Sequence, residues 1–215
     1  LYGVDYPTEY NSTPLILATL VGNVSLVKEL IKMGANRNII NARGLTPWQM
    51  ILEIVLFESI VKRLFSFTED TISKLHKLLM PTGIDLMIDG KLVKLDSRLG
   101  EFLLFNYFYL KIPMEYERIE TITDSAKHIT EVFSNLPDSM ILDYRRKRTY
   151  ISSLLSKNEV HSKNPYCRKL FKRIKRGYYI LNPEIKIRHN EEWINVYQLR
   201  SFDNLKRILW KNIYS

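Results

Sequence analysis

The sequence predicts a mainly α fold with a minor β component: a stack of helix hairpins, then a small basic domain with a short β-hairpin. Three observations support this prediction. Thr13-Pro14 recurs as Thr46-Pro47 after 33 residues, which is typical of stacked helical repeats. The net charge is −2 over residues 1–136 and +11 over residues 137–215. Short apolar runs flank Asp89-Gly90, a pair that favours a tight hairpin turn.

The first repeat unit has the signals of two short helices. Pro14 suits a first helical turn, where its missing N–H costs nothing, and Gly22 can end that helix. A second helix is expected from Val24 to Met33, because Val27, Leu30 and Ile31 have the spacing of one apolar face.

These residues resemble an ankyrin repeat, whose pattern is TPLHxAAxxG followed by a GAD or GAN exit loop. Ile16 replaces the usual His and Thr19 the second Ala, while Gly34-Ala35-Asn36 matches the exit loop. The resemblance covers residues 11 to about 52. It implies a surface that binds a protein partner rather than an enzyme with a pocket. We assign residues 1–85 to ankyrin repeats, with an incomplete first and a degenerate last unit.

The second unit is longer than the first. From Thr13 to Gly34 there are 21 residues, but from Thr46 to the next exit at Gly83 there are 37. We expect a long helix from Pro47 to about Phe65, a break near Thr68, and a helix that ends at Pro81. Two interpretations stay open: a feature that binds a particular partner, or a degenerate capping repeat.

Residues 86–136 are expected to connect the repeats to the basic domain. The Asp89-Gly90 signal over residues 86–95 predicts a hairpin or, in an ankyrin context, equally the finger loop of a last repeat. An aromatic-rich helix is expected to follow from Ser97 to Tyr109. Another helix is expected from Asp124, as its N-cap, to Phe133. We place a domain boundary near residue 137, where the charge also changes.

Residues 137–190 are expected to form the basic domain, and residues 191–215 an amphipathic helix. A helix opens at Tyr144 and ends near Lys157. A second, basic helix is expected over Tyr166–Ile174. Two strands then surround the turn at Asn182-Pro183.

Residues 140–188 resemble a winged helix-turn-helix, because Arg176-Gly177-Tyr178 opens an RGxYxLNP-like strand after a basic segment. The resemblance implies a recognition helix at about residues 164–175 and a wing that starts after it. Only one clear helix precedes that segment in the basic part, so helix 124–133 would have to be the first of three. The implied DNA contacts are Asn164, Tyr166, Arg168, Lys169, Lys172 and Arg173, with Lys175 and Arg176 at the start of the wing.

Physical chemistry supports a polyanion partner for this segment independently of the resemblance. A basic helix can enter the major groove, and Lys and Arg on flanking turns bind phosphates. RNA and an acidic protein are the alternative partners, and a solvated basic face without a partner is a further alternative. An open basic face would favour nucleic acid, whereas pairing with acidic residues of the ankyrin stack would favour a protein-interaction adaptor.

The composition bears on location. No apolar run reaches the roughly 18 residues of a membrane span, and no secretory signal is visible. Cys167 is the single cysteine, which fits a reducing compartment, so we expect a cytoplasmic protein without a membrane partner. The nucleus and delivery into a host cell are open alternatives. Since the sequence begins with Leu1, we interpret it as a fragment or processed product, with residues 1–10 the tail of an earlier repeat.

The sequence carries little sign of catalysis. The four histidines are scattered, and none has metal-ligand spacing with Cys167. Pro137-Asp138 with Glu184-Ile185-Lys186 imitates a metal-nuclease pattern, but the 46-residue gap is long for it. We therefore expect a non-enzymatic binding protein with no catalytic residue, cofactor or metal.

Overall fold

The structure, a computed structural model, describes residues 3–8, 11–57, 64–65, 67–112, 122–189 and 191–200. It divides into two compact units. The first runs as far as Pro81, and the second begins at Thr82.

Four helices of the first unit form two stacked helix hairpins. They are α1 (Pro14–Leu20), α2 (Val24–Lys32), α3 (Pro47–Leu56) and α4 (Glu69–Leu79). α1 packs against α2 and α3, and α4 packs against α2 and α3. The two helices predicted for the first repeat are confirmed.

The 33-residue repeat is present in the backbone and in the helix caps. The side chain of Thr13 accepts a hydrogen bond from the N–H of Ile16, and that of Thr46 accepts one from the N–H of Gln49. Asn11 and Gly44, also 33 residues apart, have φ values of 53° and 73°. Both repeats therefore enter their first helix through the same left-handed turn.

The second repeat agrees with the prediction only in part. The single long helix predicted from Pro47 to about Phe65 is wrong, because α3 ends at Leu56 and Phe57 has left the helical conformation, while residues 58–63 lie outside the described residues. The helix predicted before Pro81 is confirmed as α4. Its N-cap is Thr68, whose side chain accepts from the N–H of Thr71 at 3.1 Å.

A buried polar contact joins α3 to α4. Trp48, which is 2% exposed, donates from Nε1 to Nδ1 of His76 over 3.0 Å. An imidazole that accepts at Nδ1 is neutral and carries its proton on Nε2. Burial accordingly lowers the pKa of His76 from 6.5 to about 4.

This histidine should make the first unit less stable in acid. The unfolded chain binds a proton to His76 near pH 6.5, whereas the folded chain binds it only near pH 4. The contribution is constant above pH 6.5, and about 3 kcal/mol of stability is lost as the pH falls from 6.5 to 4. Urea denaturation across this range measures the loss.

The matched variant is His76→Gln, whose amide oxygen can accept from Trp48 without titrating. The difference between the unfolding free energies of wild type and variant should shrink as the pH falls. Parallel pH profiles would show that His76 does not carry the effect.

The second unit combines helices with two small antiparallel sheets. The four-stranded sheet has the order β2-β1-β6-β7 and the three-stranded sheet the order β3-β5-β4. The elements are β1 (Gly83–Ile88), β2 (Lys91–Asp96), α5 (Gly100–Lys111), β3 (Asp124–Ser125), α6 (Ala126–Phe133), α7 (Asp143–Arg146), α8 (Arg148–Lys157), β4 (Phe171–Lys175), β5 (Tyr178–Leu181), β6 (Lys186–His189), β7 (Glu192–Asn195) and α9 (Val196–Leu199).

Several predicted elements of this unit are confirmed. β1 and β2 form the predicted hairpin, and Asp89 and Gly90 have φ values of 50° and 74°, as a type I′ turn requires. The aromatic-rich helix is α5, and its rings form the core. Those less than 2% exposed are Phe105, Tyr107, Phe108 and Tyr109. The two sheets join residues 86–136 to the basic segment, since β1 pairs with β6 and β3 with β5.

The prediction of a basic helix over Tyr166–Ile174 is wrong. Residues up to Leu170 form a loop, and Phe171–Lys175 form strand β4, which pairs with β5. Lys169 has a φ of 54°, which a helix does not allow. The segment forms a strand because Phe171 pairs with Leu181 in the core. Burial of these two side chains, which are ten residues apart, outweighs the local helical spacing.

Four further predictions need correction. The single helix predicted from Tyr144 to Lys157 is divided at Lys147, whose ψ of 132° separates the short α7 from α8. The strands on either side of Asn182-Pro183 exist, but β5 and β6 belong to different sheets and do not pair. The N-cap of α6 is Ser125 and not Asp124. Asp124 belongs to strand β3, and its side chain is engaged in a buried contact. The predicted helix over residues 191–215 begins as strand β7 and continues as the short α9. Its part from residue 201 lies outside the described residues.

Candidate nucleic-acid interface

The three-stranded sheet and its helices follow a simple order along the chain. α5 is followed by β3, α6, α8, β4 and β5, with the short α7 before α8. α6 and α8 pack against each other. β4 and β5 then form a hairpin, with β5 in the middle of the sheet.

One side of α8 is exposed and consists of short hydroxyl side chains. Ile151, Leu154 and Leu155 face the core. The exposed residues on the other side lie three, four and seven positions after Thr149, which is the spacing of one helix face. This hydroxyl face of α8 comprises Thr149, Ser152, Ser153 and Ser156.

The β4–β5 hairpin, residues 171–181, carries a cluster of exposed cations and is called the basic hairpin below. Phe171, Ile180 and Leu181 anchor it in the core. Four exposed residues, Lys172, Arg173, Lys175 and Arg176, form no ion pair with any residue that the structure describes.

Aromatic rings support two of these cations. The guanidinium of Arg173 lies 5.4 Å from the ring centre of Tyr179, and Nζ of Lys175 lies 4.5 Å from that of Tyr178. Both distances are within the range of a cation–π interaction. The rings hold the charges at the surface without neutralising them.

The hydroxyl face of α8 and the basic hairpin adjoin each other. The hydroxyl of Tyr179 lies 3.5 Å from Oγ of Ser156, and Arg173 lies over the same tyrosine ring. Tyr179 therefore links the end of α8 to the cations of β4. The two features form one continuous surface.

Four consecutive basic residues, 145–148, lie before and at the start of α8. The first two bond to other residues of the protein, and the last two are exposed. Arg145 donates to the carbonyl of Arg98 over 2.6 Å, and Arg146 forms ion pairs with Asp138 at 2.8 Å and Asp143 at 2.7 Å. This pair holds the connection to α8 in place. Lys147 and Arg148 are exposed at the start of α8 and enlarge the basic surface.

The structure divides the eight residues predicted to contact nucleic acid. Lys172, Arg173, Lys175 and Arg176 all lie on the basic hairpin, but Lys172 points to the opposite sheet face from Arg173 and lines a cavity with Asp89 and Glu184. Asn164 and Tyr166 are exposed on the loop over residues 161–170. Arg168 pairs with Glu101 at 3.3 Å and Lys169 with Asp89 at 2.7 Å. Both carboxylates belong to the second unit and not to the ankyrin stack.

The hydroxyl face of α8, together with Lys147 and Arg148, is not among the predicted nucleic-acid contacts. Two signals were present. The apolar Ile151, Leu154 and Leu155 leave a stripe of hydroxyls on the opposite side. A tight turn at Arg176-Gly177 before the apolar Tyr178–Leu181 also favours a strand over the residues that precede the turn. The helix must then lie earlier in the chain.

A buried glutamate fixes the end of α8. Glu101 of α5 is 4% exposed, and its Oε1 lies 3.5 Å from Nζ of Lys157 and 3.4 Å from Nδ2 of Asn158. The same oxygen pairs with Arg168. Glu101 thus ties the last turn of α8 and the loop before β4 to α5.

A buried aspartate fixes β3 and α6. Asp124 is 3% exposed, and its carboxylate accepts from Nζ of Lys111 at 2.8 Å and from the hydroxyl of Tyr107. Nδ1 of His128 lies 2.8 Å from it. Burial alone would raise the pKa of Asp124, but the hydrogen bonds from Lys111 and Tyr107 outweigh it and hold the pKa below its usual value. Burial and this carboxylate raise the pKa of Tyr107, so its hydroxyl stays a donor.

Comparison with known proteins concerns the first unit. The ankyrin repeat family model matches residues 10–42, which contain α1 and α2. This match supports an ankyrin repeat protein, and ankyrin repeats are protein-interaction modules. No curated protein and no solved structure matches the chain significantly. Over the described part of the chain, every helix is too short or too polar to cross a membrane.

Proposed function

We propose that the protein links a protein partner, bound by the ankyrin unit, to duplex DNA, bound by a winged helix in the second unit. The order α5, β3, α6, α8, β4, β5 and the sheet order β3-β5-β4 support this proposal, because they are the order of a winged helix. In that arrangement α8 is the recognition helix and the β4–β5 turn is the wing. The proposed recognition helix is therefore Arg148–Lys157, and not residues 164–175 as the sequence resemblance implied.

The observation that carries the proposal is the shared surface of α8 and the basic hairpin. Both elements that a winged helix presents to DNA are exposed here, and the Ser156–Tyr179–Arg173 contact makes them neighbours. An α-helix fits the major groove of B-form DNA, and cations on an adjacent hairpin can reach the flanking phosphates.

Features of the surface favour DNA over the alternative partners. The deep, narrow major groove of duplex RNA does not admit a helix. An acidic protein would be favoured if the basic residues paired with the ankyrin stack. Instead, Arg168 and Lys169 pair within the second unit, and Arg173, Lys175 and Arg176 form no ion pair with any described residue.

The ankyrin unit offers an apolar surface for its protein partner. Leu17 and Val21 of the first hairpin are 42% and 46% exposed, and Leu26 of α2 is 45% exposed. Leu17 and Val21 are four positions apart at the end of α1 and so lie near each other, and neighbouring exposed aliphatic side chains mark interaction sites more often than isolated ones do.

A salt titration tests the DNA proposal. The full chain should bind a labelled duplex at low salt, and the logarithm of the affinity should fall linearly with the logarithm of the salt concentration. If Lys147, Arg148, Arg173, Lys175 and Arg176 each contact a phosphate, the slope is about −4.5. Absence of binding at low salt contradicts the proposal. Equal competition by polyglutamate at matched charge would point to an acidic protein instead.

A further inference from the structure

We propose that the surface formed by α8 and the basic hairpin binds duplex DNA mainly through the sugar-phosphate backbone. It therefore binds duplexes of many different base sequences. The inference rests on the proposed function and adds the class of DNA site. It follows from which side chains the surface presents and from where its charges lie.

The first ground is the chemistry of the hydroxyl face of α8. Base pairs are distinguished most strongly by bidentate side chains, mainly Arg on guanine and Asn or Gln on adenine. Thr149, Ser152, Ser153 and Ser156 instead carry single hydroxyls, each of which can donate or accept. Such a group finds a partner on every base pair and on every phosphate, so it discriminates little.

The second ground is that the longer polar side chains near the hydroxyl face either bond to other residues of the protein or lie at the end of α8. Asn158 is fully buried and donates to Glu101 and to the carbonyl of Leu154. Lys157 is held by Glu101 at 3.5 Å. Arg148 is the first residue of α8 and lies at the N-terminal end of the hydroxyl face, one turn before Ser152.

The third ground is the position of the free cations. They lie at the edges of the surface, where the phosphates that border a groove would be. Lys147 and Arg148 lie at one end of α8, and the basic hairpin adjoins the other end at Ser156. Short side chains between these edges allow the helix to approach the groove closely without filling it.

These features set the expected discrimination. A good bidentate contact favours the correct base by about 5- to 150-fold, and specific proteins exceed their own non-specific binding by about 10³-fold or more. Without a bidentate contact in the middle of α8, sequences should differ by less than about 10-fold. The salt dependence should be the same for all of them, because the same phosphates are contacted.

In vitro selection with the full chain tests this inference. The chain is used to enrich bound molecules from a duplex library with a randomised centre, and the starting and final pools are compared in affinity. We expect no enriched motif and affinities within about threefold. A motif bound more than about 10-fold more tightly than the starting pool would overturn the inference while leaving DNA binding intact. Failure to retain even the starting pool at low salt would refute the proposed function itself.

A paired variant sharpens the same test. Ser152→Ala with Ser153→Ala removes two exposed hydroxyls without changing the charge. The affinity should fall by less than about threefold, and by the same factor for duplexes of different sequence. A loss confined to one sequence would show that these hydroxyls contact bases and would overturn the inference.

Discussion

Replacing Arg173, Lys175 and Arg176 by glutamate is expected to lower the affinity for duplex DNA on the order of 1,000-fold at low salt. Each replacement removes a phosphate contact and adds a charge that repels the backbone, so we assign about a tenfold loss to each. All three side chains are exposed and form no ion pair with described residues, so the fold should be retained. Fluorescence anisotropy with a labelled duplex measures the loss.

A matched variant separates local contact from overall charge. Lys91, Lys94 and Lys186 are also exposed and belong to the second unit, but they lie on the four-stranded sheet. Their replacement by glutamate changes the net charge equally and should cost less than about tenfold, mainly through long-range electrostatics. Equal losses in the two variants would remove the basic hairpin from the interface.

Replacing Asp124 by alanine is expected to destabilise the second unit by about 4 kcal/mol. The carboxylate is the buried acceptor for both Lys111 and Tyr107, and Lys111 is only 14% exposed. Its removal leaves a nearly buried ammonium group without its counter-charge, which costs far more than the pair itself contributes. Urea denaturation of the full chain, followed by hydrogen exchange in α5 and α6, measures the effect.

Two further variants identify the cause. Asp85→Ala removes an exposed carboxylate from β1 and should cost less than about 0.5 kcal/mol. Asp124→Ala combined with Lys111→Met removes both charges and should recover part of the lost stability. The cycle also needs Lys111→Met alone. If the loss in the double variant equalled the sum of the losses in Asp124→Ala and Lys111→Met, the ion pair would not be the reason.

The repeats, the first hairpin and the aromatic-rich helix could be predicted because their signals are local. Thr13 and Thr46 cap helices, and Asp89-Gly90 forms its turn from residues that are adjacent in sequence. Strand β4 could not be predicted in the same way. Its residues have helical spacing, and its partner in β5 is recognised only once the Arg176-Gly177 turn is interpreted as a hairpin.

The site was predictable only in part, for a similar reason. Lys172, Arg173, Lys175 and Arg176 are close in sequence and stay together on the basic hairpin. Arg168 and Lys169 are paired with carboxylates 67 and 80 residues away, which no local pattern shows. The hydroxyl face of α8 was missed because serine and threonine carry no charge and give a weak signal.

The measurement that bears most directly on this assignment is hydrogen–deuterium exchange of the full chain with and without a saturating duplex at low salt. We expect slower exchange in two segments, α8 (Arg148–Lys157) and the basic hairpin at residues 171–181. The four-stranded sheet and the ankyrin unit should be unchanged. Protection confined to the loop over residues 161–170, or to the four-stranded sheet, would contradict a winged helix that contacts DNA through α8 and its hairpin.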